Sequence, residues 1–172
     1  MSTDQASTLQ HTEKSARGGK YLTFFLAGEE YGVEILRVHE IIGAMPITRV
    51  PRTPAYIRGV INLRGKVIPI MDLRLKFGME ATEQAAETCI IVVQVHGVQT
   101  GAVVDRVSEV ADIATGDIED APAFGADINT AYLLGIAKCG GQVKLLLDIE
   151  RVLSTSETIA MQSIIDARDA AA

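Results

Sequence analysis

Apolar residues in this chain come in short runs, and most of those runs stop at a glycine. Tyr21 to Ala27 reads YLTFFLA, and Gly28 separates it from the run Tyr31 to Val38. Short aromatic and β-branched runs punctuated this way predict a β-hairpin. Val60–Leu63 and Val67–Met71 flank Arg64 and Gly65, which predicts a second. Cys89–Val95 and Gly101–Val104 meet around Gly97, and Ile136–Lys138 and Val143–Leu147 meet around Gly140 and Gly141. Pro69 lacks an N–H, so its strand is expected at an edge or a bulge. Helical periodicity is sparse. Asp72 and Asp148 each precede a short segment, LRLKF and IERVL, whose free N–H groups an aspartate can cap. A last helix is expected to start near Ser154, with Glu157 completing a capping box and Met161, Ile164, Ile165 and Arg168 sharing one face. Many short strands with glycine turns and few long helices point to small barrels or a sandwich rather than parallel βαβ units.

The pattern also repeats. GEEYGVEILRVHEI, from Gly28 to Ile41, aligns with GVQTGAVVDRVSEV, from Gly97 to Val110, at an offset of 69. Gly28, Gly32, Arg37, Val38 and Glu40 coincide there with Gly97, Gly101, Arg106, Val107 and Glu109. AYIRGVINLRGKVIPIMDL, from Ala55 to Leu73, aligns with AYLLGIAKCGGQVKLLLDI, from Ala131 to Ile149, at an offset of 76. Two blocks in one order, with a single change of offset, indicate a duplicated unit carrying one insertion. Residues common to both copies are expected to serve the shared fold, and residues that differ mark added function. Glu40 has a counterpart in Glu109. Arg64 has none, because Gly140 takes its place, and Asn62 and Leu63 become Lys138 and Cys139. A pairing of Glu40 with Arg64 across the first unit is therefore expected.

A length of 172 residues fits one ordinary domain or two very small ones, and a half of about 65 residues buries little core alone. No apolar run approaches the roughly 18 residues of a membrane helix. The segment MSTDQASTLQHTEKSARGG is polar and predicts a disordered tail. Two widely spaced cysteines, Cys89 and Cys139, suit reduced thiols in the cytoplasm. The net charge of −6 argues against nucleic acid as a partner, but it is unevenly spread. Tyr31 to Met79 holds eight Lys or Arg against three acids, a net +5, whereas Glu80 to Glu150 holds three against twelve, a net −9. Two solvated surfaces would explain this, and so would head-to-tail assembly through opposite charges.

Signatures of chemistry are missing from the sequence. RGGK at Arg17 to Lys20 follows no strand, so it is not a phosphate loop. HExxH, CxxC and Gly-x-Ser-x-Gly patterns do not occur, and His11, His39 and His96 have no second ligand near them. No catalytic residues, metal or cofactor are expected.

EEYGVEILRVHEI, then TPAYIRGVINLRGKVIPIMDLRLKF, then GAVVDRVSEV, closely resemble the signature of the CheW coupling proteins of bacterial chemotaxis, over about Tyr21 to Leu153. The resemblance implies two packed five-stranded SH3-like barrels with short helices and a C-terminal helix. Approximate bounds are a tail at 1–19, a first barrel at 20–79, a linker at 80–87, a second barrel at 88–153 with strand exchange possible, and the helix and tail at 154–172. It further implies a non-catalytic adaptor that joins the cytoplasmic tips of chemoreceptors to the regulatory domain of a CheA-type histidine kinase. Such an adaptor is cytoplasmic and recruited to membrane-associated arrays, without inserting into the membrane itself. Its receptor groove lies between the barrels and would be lined by Ile35, Val38 and Glu40, with Gly101, Val107 and Val110. Ile35, Val38 and Val107 equally suit ordinary barrel core. Gly59 and Arg64 match positions where the family is sensitive to substitution, although Gly135 repeats Gly59 and a turn would explain it. Two other readings are a coupling protein of another chemosensory pathway and a small-molecule-binding barrel.

Overall fold

The computed structural model describes residues 17–82, 85–120 and 132–171, with backbone alone for Thr155 and 167–171. Most of the expected tail, Ala131 of the repeat and the side chain of Arg168 lie outside the described residues. The chain runs through β1 (Gly19–Leu26), β2 (Glu29–Glu34), a 3-10 turn (Ile35–Arg37), β3 (Val38–Gly43), β4 (Ile57–Leu63), β5 (Lys66–Asp72) and α1 (Leu73–Lys76). It continues through β6 (Cys89–Val95), β7 (Val98–Val104), β8 (Arg106–Ile113), a 3-10 turn (Thr115–Asp117), β9 (Ile118–Glu119), β10 (Leu133–Cys139) and β11 (Gln142–Leu147). Two helices follow, α2 (Ile149–Val152) and α3 (Thr155–Ala171).

The fold is mainly β, in two sheets. One has the order β8-β1-β2-β11-β10-β9 and the other β3-β6-β7-β5-β4. These are SH3-like units whose terminal strands stay unpaired, so neither closes into a hydrogen-bonded ring. One sheet has six strands instead of five because Ile118–Glu119 forms a two-residue strand. Its counterpart in the other sheet is the single bridge Thr48↔Val60. The copies exchange hairpins: β1–β2 joins the sheet built from the C-terminal half, and β6–β7 joins the sheet built from the N-terminal half. Parallel ladders of three residues make both joins, Leu145–Leu147 with Tyr31–Val33 and Ile70–Asp72 with Gly101–Val103. Pro69 consequently sits in an interior strand and not at an edge. The strand tolerates it because the ladder with β7 begins only at Ile70.

The exchange explains the repeated glycines. A Cβ on Gly101 would stand 2.5 Å from Ile70 Cδ1, and one on Gly32 would stand 2.9 Å from Leu146 Cδ2. Ile70 and Leu146 are themselves repeat equivalents, so each copy packs an aliphatic side chain over the other copy's glycine. All four hairpins turn on two residues, Ala27-Gly28, Arg64-Gly65, His96-Gly97 and Gly140-Gly141, each pair with both φ positive. That is the geometry whose twist matches the flanking strands.

Alternating side chains fill three cores. Ile61, Ile68, Ile70, Ile90, Val92 and Val103 fill one unit, while Tyr21, Ile113, Ile118, Ala137 and Leu146 fill the other. The largest cluster lies between them, with Leu22, Phe24, Val33, Met71, Ile91, Val93, Val104 and Leu147 among its members. Strands buried on both faces read as continuous apolar runs, which is why Ile90 to Val93 shows no alternation. An aromatic row, Phe24–Tyr31–Phe77–Tyr132, crosses this seam with ring centroids 4.6–6.0 Å apart.

Both predicted aspartate caps form. Asp72 accepts from the N–H groups of Arg74 and Leu75, and Asp148 accepts from that of Glu150. The capping box forms as well: Glu157 N–H donates to Ser154 Oγ at 3.2 Å, and Ser154 N–H donates to Glu157 Oε1 at 3.0 Å. Met161 buries against the seam cluster, which docks α3 on the body.

Candidate functional site: the seam between the sheets and its charged edge

β3 and β8 are repeat equivalents, and each is an edge strand of its sheet. Each also carries a bulge that re-aims side chains. In β3, Val38 pairs with Val93 and Glu40 with Val92, so one extra residue lies between successive partners. Directly opposed residues share a face. Val93 faces the seam and Val92 faces the unit interior, so the bulge turns Val38 to the seam and Glu40 to the other side. In β8, Val107 pairs with Phe24 and Val110 with Leu22, across a register shift. Phe24 and Leu22 both belong to the seam core, so the shift places Val107 and Val110 on its side together. Ile35 and Val38 from one copy and Val107 from the other are half-buried against that core. Val110 is 53% exposed, and Ile41, opposite the seam residue Ile91, is 43% exposed. The seam thus has an accessible apolar rim on two edge strands.

Glu40 meets Arg64 at the edge of the same unit, where the guanidinium donates to Oε1. Glu40 keeps 30% of its side-chain exposure and Arg64 keeps 71%. The hydrogen bond to Glu40, with its charge, holds Arg64 above the ordinary arginine range. Arg64 is a non-glycine residue at φ 52, whereas its counterpart Gly140 adopts φ 58 freely. Asn62 Oδ1 accepts from the Gly65 N–H at 2.8 Å and braces this turn. The first copy therefore keeps an arginine where the fold itself favours glycine. Arg64, Lys66, Gly97, Gln99, Gln162 and Ile165 bound an open depression of about 430 Å³ beside α3. In the second copy Glu109 pairs differently, with buried Lys144 at 3.3 Å.

Two expected lining residues act from within. Gly101 faces the first unit's interior between Ile70 and Ile90. Gly59, at φ 141, lies directly beneath the Thr48 carbonyl, where the crossing segment forms its bridge. The structure therefore gathers Ile35, Val38, Val107 and Val110 along the seam and sets Glu40 with Arg64 apart from them. Sequence reasoning passed over Ile41, because alternation from Val38 would turn it away from the seam and only the bulge between Val38 and Glu40 brings it to Val38's side. It also passed over Arg37, whose contact with Glu150 Oε1 at 2.7 Å spans most of the chain and leaves no sequence signal.

Among the described residues, no group of three or more His, Cys, Asp or Glu stands where it could hold a metal ion. Among the same residues, no helix is long and apolar enough to cross a membrane.

A family model described as CheW-like domain matches residues 20–157. The chain belongs to this family. CheW-like members are non-catalytic scaffold and adaptor proteins of chemotaxis. Chemotaxis protein CheW of Klebsiella aerogenes is 40% identical over 147 residues, covering 86% of this chain and 89% of that one. Chemotaxis protein CheW of Rhizobium meliloti is 37% identical, covering 81% and 91%. The crystal structure of the scaffolding protein TtCheW from Thermoanaerobacter tengcongensis superimposes with a TM-score of 0.74 at 36% identity, covering 81% of this chain and 95% of that one.

Proposed function

We propose that this CheW-family chain bridges the cytoplasmic tips of chemoreceptors and the regulatory domain of a CheA-type histidine kinase. It does so as a cytoplasmic adaptor at membrane-associated arrays. The observation that carries the receptor half is the apolar rim of Ile35, Val38, Ile41, Val107 and Val110, three of them half-buried against the seam core and two exposed. A helical hairpin places apolar side chains at i, i+3, i+4 and i+7, and a groove between two edge strands accepts that spacing. Glu40, on the other face of the edge strand β3, and Arg64 beside it supply a second, charged contact for a partner that reaches past the rim. Gly59 and Gly101 act by holding the backbone and the β7–β5 junction that shape this surface. A bridge contributes by linkage: holding one partner raises the local concentration of the other into the millimolar range for a short, well-matched connection. The pathway served is decided by which receptors fit the groove.

The test is titration of a receptor-tip hairpin fragment against the wild-type chain, Val38→Asp and Glu40→Ala, each checked by circular dichroism. Weakened binding by folded variants supports the groove. Wild-type affinity in both variants removes these residues from the site.

A further inference from the structure

The exchange of hairpins requires the chain to cross from one sheet to the other twice, once at Ile35–Arg37 and once at Asp105. A charged contact holds each crossing; the helix and turn partners of the two contacts are repeat equivalents, and their crossing residues are offset by one position. At the second crossing, Asp105 accepts from Arg74 Nε at 2.7 Å and Arg74 Nη2 at 2.5 Å, and from the Ala27 N–H at 2.9 Å. At the first crossing, Arg37 Nη1 donates to Glu150 Oε1 at 2.7 Å, and His96 Nδ1 stands 3.6 Å from Glu150 Oε2. Arg74 and Glu150 are equivalent at the offset of 76, and Ala27 and His96 at the offset of 69. Leu36 and Arg37 match Asp105 and Arg106. Each clamp therefore joins a crossing, a short helix and the turn of the opposite hairpin, with its charges reversed between copies.

The two clamps differ in strength. The second is a two-pronged guanidinium–carboxylate contact, and the hydrogen bond from Arg74, against the opposing effect of burial, holds the Asp105 carboxyl below the usual range. The first rests on a single short contact with a more exposed arginine. His96 Nε2 also lies 3.4 Å from the Leu153 carbonyl oxygen, so the ring reaches the segment after α2 as well. The first crossing is flanked by the rim residues Ile35 and Val38, and α2 sends Ile149 and Val152 into the seam core.

We infer that Arg37 and Glu150, with His96 behind them, are positioning residues that set the spacing of the rim at the first crossing. They need not touch the partner. This inference rests on the reading of the seam as the receptor groove, so its test carries a second readout that does not depend on any partner. The full chain is compared with Arg37→Glu, Glu150→Arg and the double reversal Arg37→Glu/Glu150→Arg, which gives the first clamp the polarity the second already has. Arg37→Lys serves as the conservative variant. Each single reversal should weaken binding of a receptor-tip hairpin fragment by about fivefold or more, since an exposed pair is worth up to about 1 kcal/mol and reversal adds repulsion. Amide exchange at residues 35–38 should quicken in the single variants while the melting transition stays near wild type. The double reversal and Arg37→Lys should restore both readouts. A double reversal that binds no better than the weaker single variant, or single variants that exchange at the wild-type rate, overturns the clamp. Failure of the wild-type chain to bind the fragment overturns the groove instead, and exchange at 35–38 still tests the clamp.

Discussion

Gly59→Ala is the sharpest test of how the first unit is built. Gly59 sits at φ 141, where a Cβ is disfavoured, and its Cβ would fall onto the Thr48 backbone. The Thr48 segment cannot stay in place. Its two hydrogen bonds, Val60 N–H to Thr48 O at 2.8 Å and Thr48 N–H to Val60 O at 2.9 Å, must lengthen or break. Each is worth about 0.5–1.5 kcal/mol net, and a side chain at a disfavoured φ adds about 1–3 kcal/mol. The expected loss is about 2–6 kcal/mol out of a total stability of about 5–15 kcal/mol. In urea this shifts the midpoint by about 1–3 M with little change in slope. Gly135→Ala is the internal control. Its Cβ meets Ile118 Cγ2 at 2.7 Å and Glu119 O at 2.9 Å, without an unusual φ, so its loss should be smaller. Partner binding by Gly59→Ala should then track the folded fraction. An unshifted midpoint, or a larger loss in Gly135→Ala, refutes the steric argument. Full stability with lost binding would make Gly59 a contact residue.

Arg64→Gly should separate folding from docking: the variant adopts the turn of Gly140 without strain, so its melting temperature should hold or rise while receptor-fragment affinity falls. Binding that survives removes Arg64 from the site. Gly101→Ala should cost about 1–3 kcal/mol by crowding Ile70 and Ile90, and adding Ile70→Val should recover part of that in a denaturant titration. Glu157 gives the chain an acid-sensitive latch for α3. Burial alone would raise its carboxyl, but hydrogen bonds from Lys76, Tyr56 and Ser154 outweigh that and hold it at about 2, below the ordinary 4.5. A lowered folded-state value favours the folded form above pH 4.5, and that contribution disappears as pH falls from 4.5 toward 2. Wild-type melting temperature should therefore fall more steeply through this window than that of Glu157→Gln, which starts lower at pH 7. Parallel curves would show that Glu157 does not latch the helix. The contact is part-exposed, so added salt should shrink the difference.

Locally determined features were legible in the sequence. Cys89–Val95 reads as a strand because it is a continuous β-branched run, and β6 has those same bounds. The aspartate caps and the Ser154–Glu157 box depend on neighbours within three residues, so sequence spacing suffices to place them. The missed strands are the edges. Tyr31 to Val38 reads as one strand, yet the 3-10 turn at Ile35–Arg37 breaks it and β3 starts at Val38. Arg106–Ile113 carries no strand signal, because its mixed polar residues are mostly exposed at a sheet edge. These one-sided strands carry the rim residues, and two bulges that no local pattern announces aim them. The hairpin exchange is likewise tertiary. Three-residue parallel ladders leave no periodicity behind, and only the paired glycines Gly32 and Gly101 hint that another chain segment lies close. The Glu40–Arg64 pair was legible because the duplication supplies an internal comparison, with Gly140 standing where Arg64 would be.

A bridge must hold two proteins at once. Sedimentation of the purified chain with a chemoreceptor tip fragment and a CheA-type regulatory domain tests it most directly. A ternary species should appear only when all three are present and should fade with Val38→Asp while kinase-domain binding persists. Binary complexes that compete with each other, so that receptor fragment displaces kinase domain from the chain, would contradict it.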